Sequence, residues 1–288
     1  MIPGAFAYHR PTSVKDAVAL LGQFGDDGRL LAGGHSLIPT MKLRLASPGN
    51  LIDLAGIADL KGIRADGNDI VIGAMTTQHE LIASDLLSSK LPIIRETSGQ
   101  IADPQVRYLG TLGGNVANGD PANDMPALML CLNATFHVSG KSGDRKVAAR
   151  GFYQGLYSTA LQSGEMLTAV RIPVPPVGHG YAYEKLKRKI GDFATAAAAV
   201  MLIVKGGKVE GCAIGLTNVA DKPLLAEEAA KILTGSTLDT ATVKRAVAAA
   251  EAITSPAEDP RGPAQFRTKM AGVMLTRALA RAKSLARG

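Results

Sequence analysis

The sequence predicts an α+β protein built in two parts. Three observations carry that expectation. Pro173, Pro175, Pro176, Gly178 and Gly180 crowd one short stretch, which marks a domain boundary. Beyond it, Ala197 to Val204 and Val209 to Thr217 flank Lys205-Gly206-Gly207-Lys208, a hairpin signal, and three helical stretches follow. Before it, short apolar runs alternate with helical patterns, and two apolar segments run straight into a Gly-Gly pair.

Each element has a local reason. Thr12 and Ser13 can cap a helix in which Val14, Val18 and Leu21 share a face, with Asp16 at its positive end. Leu30-Leu31-Ala32 and Leu51 to Leu54 read as short strands. Ile63-Arg64 and Ile70 to Gly73 flank the turn Asp66-Gly67-Asn68-Asp69. Thr77 caps a helix through Leu81, and a second helix covers Leu91 to about Ser98. Residues 110–120 read as a glycine-rich loop, and Met125 to Leu132 as a helix. Ala134 to Val138 and Lys146 to Ala149 flank Gly140-Lys141-Ser142-Gly143, and Met166 to Ile172 is one more strand. The three final helices are Leu224 to Leu233, Thr240 to Ile253, and Ala264 to about Arg281, with Phe266, Met270, Val273 and Met274 lining one side of the last.

Composition narrows the function. With 46% hydrophobic and 20% charged residues, the 288-residue chain is an ordinary globular one. The net charge of +7 comes largely from Arg267, Lys269, Arg277, Arg281, Lys283 and Arg287. Few aromatics interleave with these bases, which argues against a nucleic-acid platform. A solvated helix face, its cations favoured by the helix dipole, is one reading; an acidic partner protein is the other. Cys131 and Cys212 are too few for a disulfide framework, a zinc site or an iron–sulfur cluster. Redox chemistry would therefore need an organic cofactor, with any clusters on another chain. The start, Met1 to Pro11, lacks the pattern of a signal peptide, and no stretch is long enough to span a membrane, so cytoplasm is expected. Serine or cysteine nucleophile chemistry finds no G-x-S-x-G and no cysteine beside a histidine.

The chemistry concentrates in Ala32-Gly33-Gly34-His35-Ser36 and Thr111-Leu112-Gly113-Gly114-Asn115. Glycine permits positive φ and removes the Cβ that would block a close ligand. Successive N–H groups can then converge on an anion, with Ser36, Thr111 and Asn115 as donors at the rims. Two such loops could grip one pyrophosphate. Neither matches G-x-G-x-x-G or a P-loop. Asp124, at the start of a helix, is either a first-turn acid facing the dipole or an acceptor for ribose hydroxyls, and position alone leaves both open.

These two loops, together with the run Tyr183 to Ala194, resemble the flavoprotein subunit of the molybdenum hydroxylase family over essentially the whole chain. Within the family the similarity is greatest to the carbon monoxide dehydrogenase branch, through Ala32 to Pro39 and Gly191 to Val200. The resemblance implies an FAD domain of the vanillyl-alcohol-oxidase type over residues 1–177, in two α/β subdomains of about 1–55 and 56–177. It implies a C-terminal antiparallel sheet with helices over 178–288. The loops matching 32–36 and 111–115 would bind pyrophosphate; Asp124 and Lys185 would line the site; Ile101, Ala102, Met166 and Leu167 would cover the adenine side; Phe193 would lie against the isoalloxazine ring. Without the family, Phe193 reads as a core aromatic.

FAD is expected to be non-covalent, because no flavinylation environment surrounds His35. The implied partners are a large subunit holding a molybdenum cofactor and a small one with two 2Fe–2S clusters, in a dimer of heterotrimers that serves an external acceptor. The complex is further expected to reach the inner membrane face. Two alternatives use the same loops: a self-sufficient flavin oxidase, which His35 superficially suits, and a non-redox nucleotide-binding module, which a yellow protein would exclude.

Overall fold

The computed structural model describes residues 2–287. The first unit holds β1 (Ala7–His9), α1 (Val14–Phe24), β2 (Gly28–Leu31), α2 (Leu37–Lys42) and β3 (Asn50–Asp53). Its three strands run parallel in the order β1-β3-β2. Strand β1 is too short to show a period in sequence. Ser13 caps α1 by accepting from the Asp16 N–H at 3.1 Å. Ala17, Leu21, Ile52, Ile57 and Leu60 form the core, closed by Met75 and Met166 from the next unit.

The second unit begins with β4 (Ile63–Asp66) and β5 (Asp69–Gly73). Six helices follow: α3 (Gln78–Ala83), α4 (Asp85–Lys90), α5 (Pro92–Gln100), α6 (Pro104–Leu109), α7 (Leu112–Ala117) and α8 (Asp124–Cys131). Then come β6 (Thr135–Gly140), β7 (Gly143–Ala148), β8 (Tyr153–Gly155), β9 (Ser158–Thr159) and β10 (Met166–Pro173). The main sheet is antiparallel, ordered β4-β5-β10-β6-β7, with β8 and β9 as a separate ribbon. Thr77 caps α3 in a full capping box with Glu80. The expected loop over 110–120 instead contains α7, because Thr111 caps it and a packed setting offsets the poor helix propensity of two glycines.

The third unit pairs β11 (Gly180–Leu186), β12 (Ala196–Lys205), β13 (Lys208–Thr217) and β14 (Leu224–Leu225) in that order, all antiparallel. Helices α9 (Glu227–Leu233), α10 (Thr240–Ala252) and α11 (Ala264–Leu285) follow. Leu224 and Leu225 thus belong to an edge strand, and the helix expected from Leu224 starts three residues later. The buried side of α11 is Ala271, Met274, Leu275, Ala278, Leu279 and Ala282, whereas Phe266 and Val273 stay exposed. The expected stripe is kept at Met270 and Met274 and corrected at Phe266 and Val273; at the far end of α11 the helix lies so close to the sheet that a Cβ on Gly180 would strike the Ala282 carbonyl oxygen. Alanines fit that gap and a phenylalanine does not.

Of the basic C-terminal residues, Lys269, Arg277, Lys283 and Arg287 are exposed as a solvated face requires, and the reading is corrected at the other two. Arg267 is buried and donates to the carbonyl oxygens of Thr195, Ala257 and Asn218. Arg281 pairs with Glu96 and Glu184, so it ties α11 to α5 and β11. A solvated cationic face describes neither residue.

Candidate functional site

The first glycine loop joins β2 to α2. Gly34 takes φ +73°, and the backbone N–H groups of Gly33, Gly34, His35 and Ser36 find no acceptor within the described chain. Ser36 stands at the cap position of α2 without making a cap bond. His35 is exposed and its Nδ1 donates to the Gly33 carbonyl at 2.7 Å. Four consecutive free amides around a left-handed glycine make a concave donor surface for an anion.

The second loop is built the opposite way. Leu112 N donates to Thr76 O at 2.9 Å, Gly113 N to Ala74 O at 2.8 Å and Asn115 N to Thr111 O at 3.1 Å. Gly114 N donates to Thr111 Oγ1 at 3.0 Å. Every amide from Leu112 to Asn115 is therefore engaged, so this loop presents no row of free N–H groups like that of the first. Thr111 is buried rather than at a rim, and Asn115 Oδ1 accepts from Met125 N at 3.2 Å. These glycines serve packing. A Cβ on Gly113 would stand 2.6 Å from the Ala74 Cβ, and one on Gly33 would strike Leu109 and Gly110 backbone. One on Gly114 would lie 3.6 Å from the Ala32 Cβ. The glycines thus allow the two loops to stack, with the second supporting the first.

Asp124 opens α8 and is buried. Its Oδ2 takes Lys185 Nζ at 2.8 Å and its Oδ1 takes the Tyr183 hydroxyl at 2.5 Å. Lys185 Nζ also donates to Gln100 O at 3.4 Å. Burial pushes the Asp124 carboxyl up, opposed by the charge and hydrogen bond of Lys185. Both carboxylate oxygens already have a partner within the described chain. Asp124 joins the second unit to β11. Tyr183 was not anticipated; its signal was the period of two that puts it on the same strand face as Lys185.

The remaining residues fall around this line. Ile101 and Ala102 follow α5, and Arg107 Nη1 holds both carbonyls, at 2.9 and 3.2 Å. A Cβ on Gly191 would come within 3.7 Å of the Ala102 carbonyl carbon, so the stretch carrying Phe193 runs beside them. Met166 and Leu167 are buried at the start of β10. They sit behind the second loop, since Ala74 N donates to Thr168 O and Gly113 N to Ala74 O. Phe193 is 45% exposed, so the plain core reading fails. Loop one, loop two, Asp124, Lys185, Ile101–Ala102 and the Phe193 segment form one connected set, with Met166 and Leu167 backing it.

Among the described residues no group of three or more His, Cys, Asp or Glu side chains could hold a metal ion, and no helix is long and apolar enough to cross a membrane. Both cysteines are free, and burial pushes the Cys131 thiol up to about 12.

Residues 4–175 match the model for the FAD binding domain in molybdopterin dehydrogenase. Residues 181–282 match the CO dehydrogenase flavoprotein C-terminal domain. The chain belongs to this family of molybdopterin dehydrogenase flavoproteins. It is 67% identical over 287 residues to the carbon monoxide dehydrogenase medium chain of Afipia carboxidovorans, covering 100% of both chains. A solved structure of Cu,Mo-CO dehydrogenase superposes with a TM-score of 0.99 at 67% identity, over 99% of this chain and 100% of that one. Carbon monoxide dehydrogenase from Hydrogenophaga pseudoflava gives 0.99 at 50% identity, over 100% of both chains.

Proposed function

We propose that this chain carries FAD non-covalently and is the electron-transfer medium subunit of a molybdenum hydroxylase that oxidises carbon monoxide. The observation that carries the cofactor reading is the row of four unengaged amides from Gly33 to Ser36. A hydrogen bond to a charged group contributes about 1.5–3 kcal/mol, so several of them hold a diphosphate without a salt bridge. The fit is good on a second count: the residue with positive φ, Gly34, is one that has no Cβ to strain.

In this reading Ala32, Gly33, Gly34, His35 and Ser36 bind the pyrophosphate. Thr111, Leu112, Gly113 and Gly114 hold that loop from behind, and Asn115 and Asp124 extend the support to Lys185. Ile101, Ala102, Met166 and Leu167 wall the adenine side, and Phe193 covers the isoalloxazine ring. The FAD domain spans residues 1–177, subdivided near residue 55, and the second domain 178–288; the matched spans, 4–175 and 181–282, support that division.

When bound, FAD collects electrons from partner-held 2Fe–2S clusters and delivers them to an external acceptor. The overall oxidation, CO + H2O to CO2 with two protons and two electrons, takes place on a large molybdenum subunit. The substrate rests on the names of the relatives at 67% and 50% identity. Purification of the complex tests all of this. It should yield one larger and one smaller partner, one FAD per chain, and flavin released to the supernatant by acid. Carbon monoxide oxidation by the isolated chain with a dye acceptor would overturn the subunit reading.

A further inference from the structure

Phe193 is held from outside its own segment. The segment between β11 and β12 carries Asp192, whose carboxylate is nearly buried although the loop is exposed. Asp192 Oδ2 accepts from Arg188 Nε at 2.7 Å, and Oδ1 accepts the Phe193 N–H at 2.9 Å. A second irregular segment, before α11, brings Arg261 to the same place. Its Nη2 lies 3.6 Å from Asp192 Oδ1, its Nη1 3.1 Å from Asp259 Oδ2, and its Cζ 5.8 Å from the centre of the Phe193 ring. Its Nε is buried and has no acceptor among the described residues.

The anchor behind this contact is tied to several segments. Asp259 also meets buried Arg267, at 3.4 Å, and Arg267 holds the carbonyl of Thr195, two residues beyond Phe193. Asn218 Nδ2 holds the carbonyl of Ala194 at 2.5 Å. Phe193 is therefore fixed on its C-terminal side through Ala194 and Thr195, and on its N-terminal side through Asp192. Arg261 lies over the ring itself, while Phe193 stays 45% exposed.

We infer that Arg261 is a positioning residue, which clamps the Phe193 ring from one side and so fixes the surface it offers to the flavin. The inference rests on the proposed placement of Phe193 at the isoalloxazine. A guanidinium over an aromatic face contributes about 0.5–1 kcal/mol at exposed sites, which corresponds to about a two- to fivefold preference for the held ring.

The test uses the assembled complex with Arg261→Ala, Arg261→Gln, Arg261→Lys and Phe193→Ala. Arg261→Ala should retain one FAD per chain, because the diphosphate site lies elsewhere. Its visible flavin bands should move in the same direction as those of Phe193→Ala, and Arg261→Lys should restore part of the wild-type spectrum. Tryptic cleavage after Lys187, Arg188 and Lys189 should also accelerate in Arg261→Ala. Arg261→Gln keeps a similar size without the charge, and gives the same readings if the alanine variant folds poorly. Shifted bands in Phe193→Ala with wild-type bands and cleavage in both neutral Arg261 variants would overturn the inference. Bands unmoved by Phe193→Ala itself would instead remove Phe193 from the flavin, and unchanged tryptic rates would then sink the clamp as well.

Discussion

The two glycine loops look alike in sequence and are built in opposite ways. Ala32 to Ser36 is open: His35 and Ser36 are exposed, and four amides in a row lack acceptors. Thr111 to Asn115 is closed: Thr111 and Leu112 are buried, and its amides are spent on Thr76, Ala74 and its own cap. A Gly-Gly pair after an apolar run therefore signals close backbone approach, here between the two loops themselves, and leaves open whether the amides are free to bind anything else. What separates the cases is whether the N–H groups already have partners.

The largest effect expected from this difference is at Gly33→Val. The new side chain meets Leu109 and Gly110 backbone, which cannot yield as a flexible side chain would. Overpacking of this kind costs about 1–3 kcal/mol and would part the two loops, so FAD should be lost and the melting temperature should drop. Gly114→Val should behave differently. Gly114 does not have positive φ, and its Cβ would meet Thr111 Oγ1 at 2.9 Å and Ala32 Cβ at 3.6 Å. That disturbs the cap and the support of loop one, so flavin absorbance should vanish while circular dichroism shows a folded apo-chain. Retained flavin would show that the second loop does not support the first.

Gly34→Ala isolates the open loop. Its φ of +73° leaves an alanine strained by about 1–2 kcal/mol, which converts to about a tenfold loss in FAD affinity. Titration of the apo-chain with FAD would measure it. Thr111→Ala isolates the closed loop. Loss of a helix cap costs about 1 kcal/mol, so thermal stability should fall, and FAD affinity should fall less than in Gly34→Ala because Gly114 still packs on Ala32. If the two variants exchanged phenotypes, the division of labour between the loops would be wrong.

Much of the fold was legible because its signals are local. The hairpin turns at Asp66–Asp69, Gly140–Gly143 and Gly206-Gly207, the Ser13 cap and the Thr77 box each depend on a few adjacent residues. The site was legible as a set of residues and illegible in its roles. Thr111 looked like a rim donor because burial is a property of the fold. Asp124 looked free because its partners, Tyr183 and Lys185, lie 59 and 61 residues away. Arg267 was assigned to a solvated face for the same reason: the carbonyls it holds belong to other segments. Helix α7 was missed because propensity counts against Gly113 and Gly114, whereas tertiary packing against Ala74 requires them.

Acid should weaken the pair of Glu165 with Arg145. Glu165 immediately precedes β10, and its hydrogen bond with Arg145 holds its carboxyl below the ordinary 4.5. A carboxyl so lowered contributes stability that is present above its ordinary value and lost as pH falls through the folded one. Melting temperature should therefore decline below about pH 4.5, and Glu165→Gln should flatten that decline. A curve equally steep in the variant would assign the acid sensitivity to other carboxyls.

The smallest effect should come from the most conspicuous side chain. His35 sits inside the open loop and invites the idea of a covalent flavin bond. Yet its ring is exposed and its Nδ1 is occupied by the Gly33 carbonyl at 2.7 Å. Removing it costs one solvent-accessible hydrogen bond, about 1 kcal/mol at most, because water can replace the donor. If the amides of Gly33 to Ser36 are what grips the diphosphate, His35→Ala should bind FAD nearly as well as the parent chain. Acid precipitation should then leave both pellets colourless and both supernatants yellow. A yellow pellet from the parent and a colourless one from His35→Ala would mean that loop one holds its cofactor by a bond to the imidazole. The free amides would then be a by-product of the loop's shape, and the contrast between the loops would need another cause.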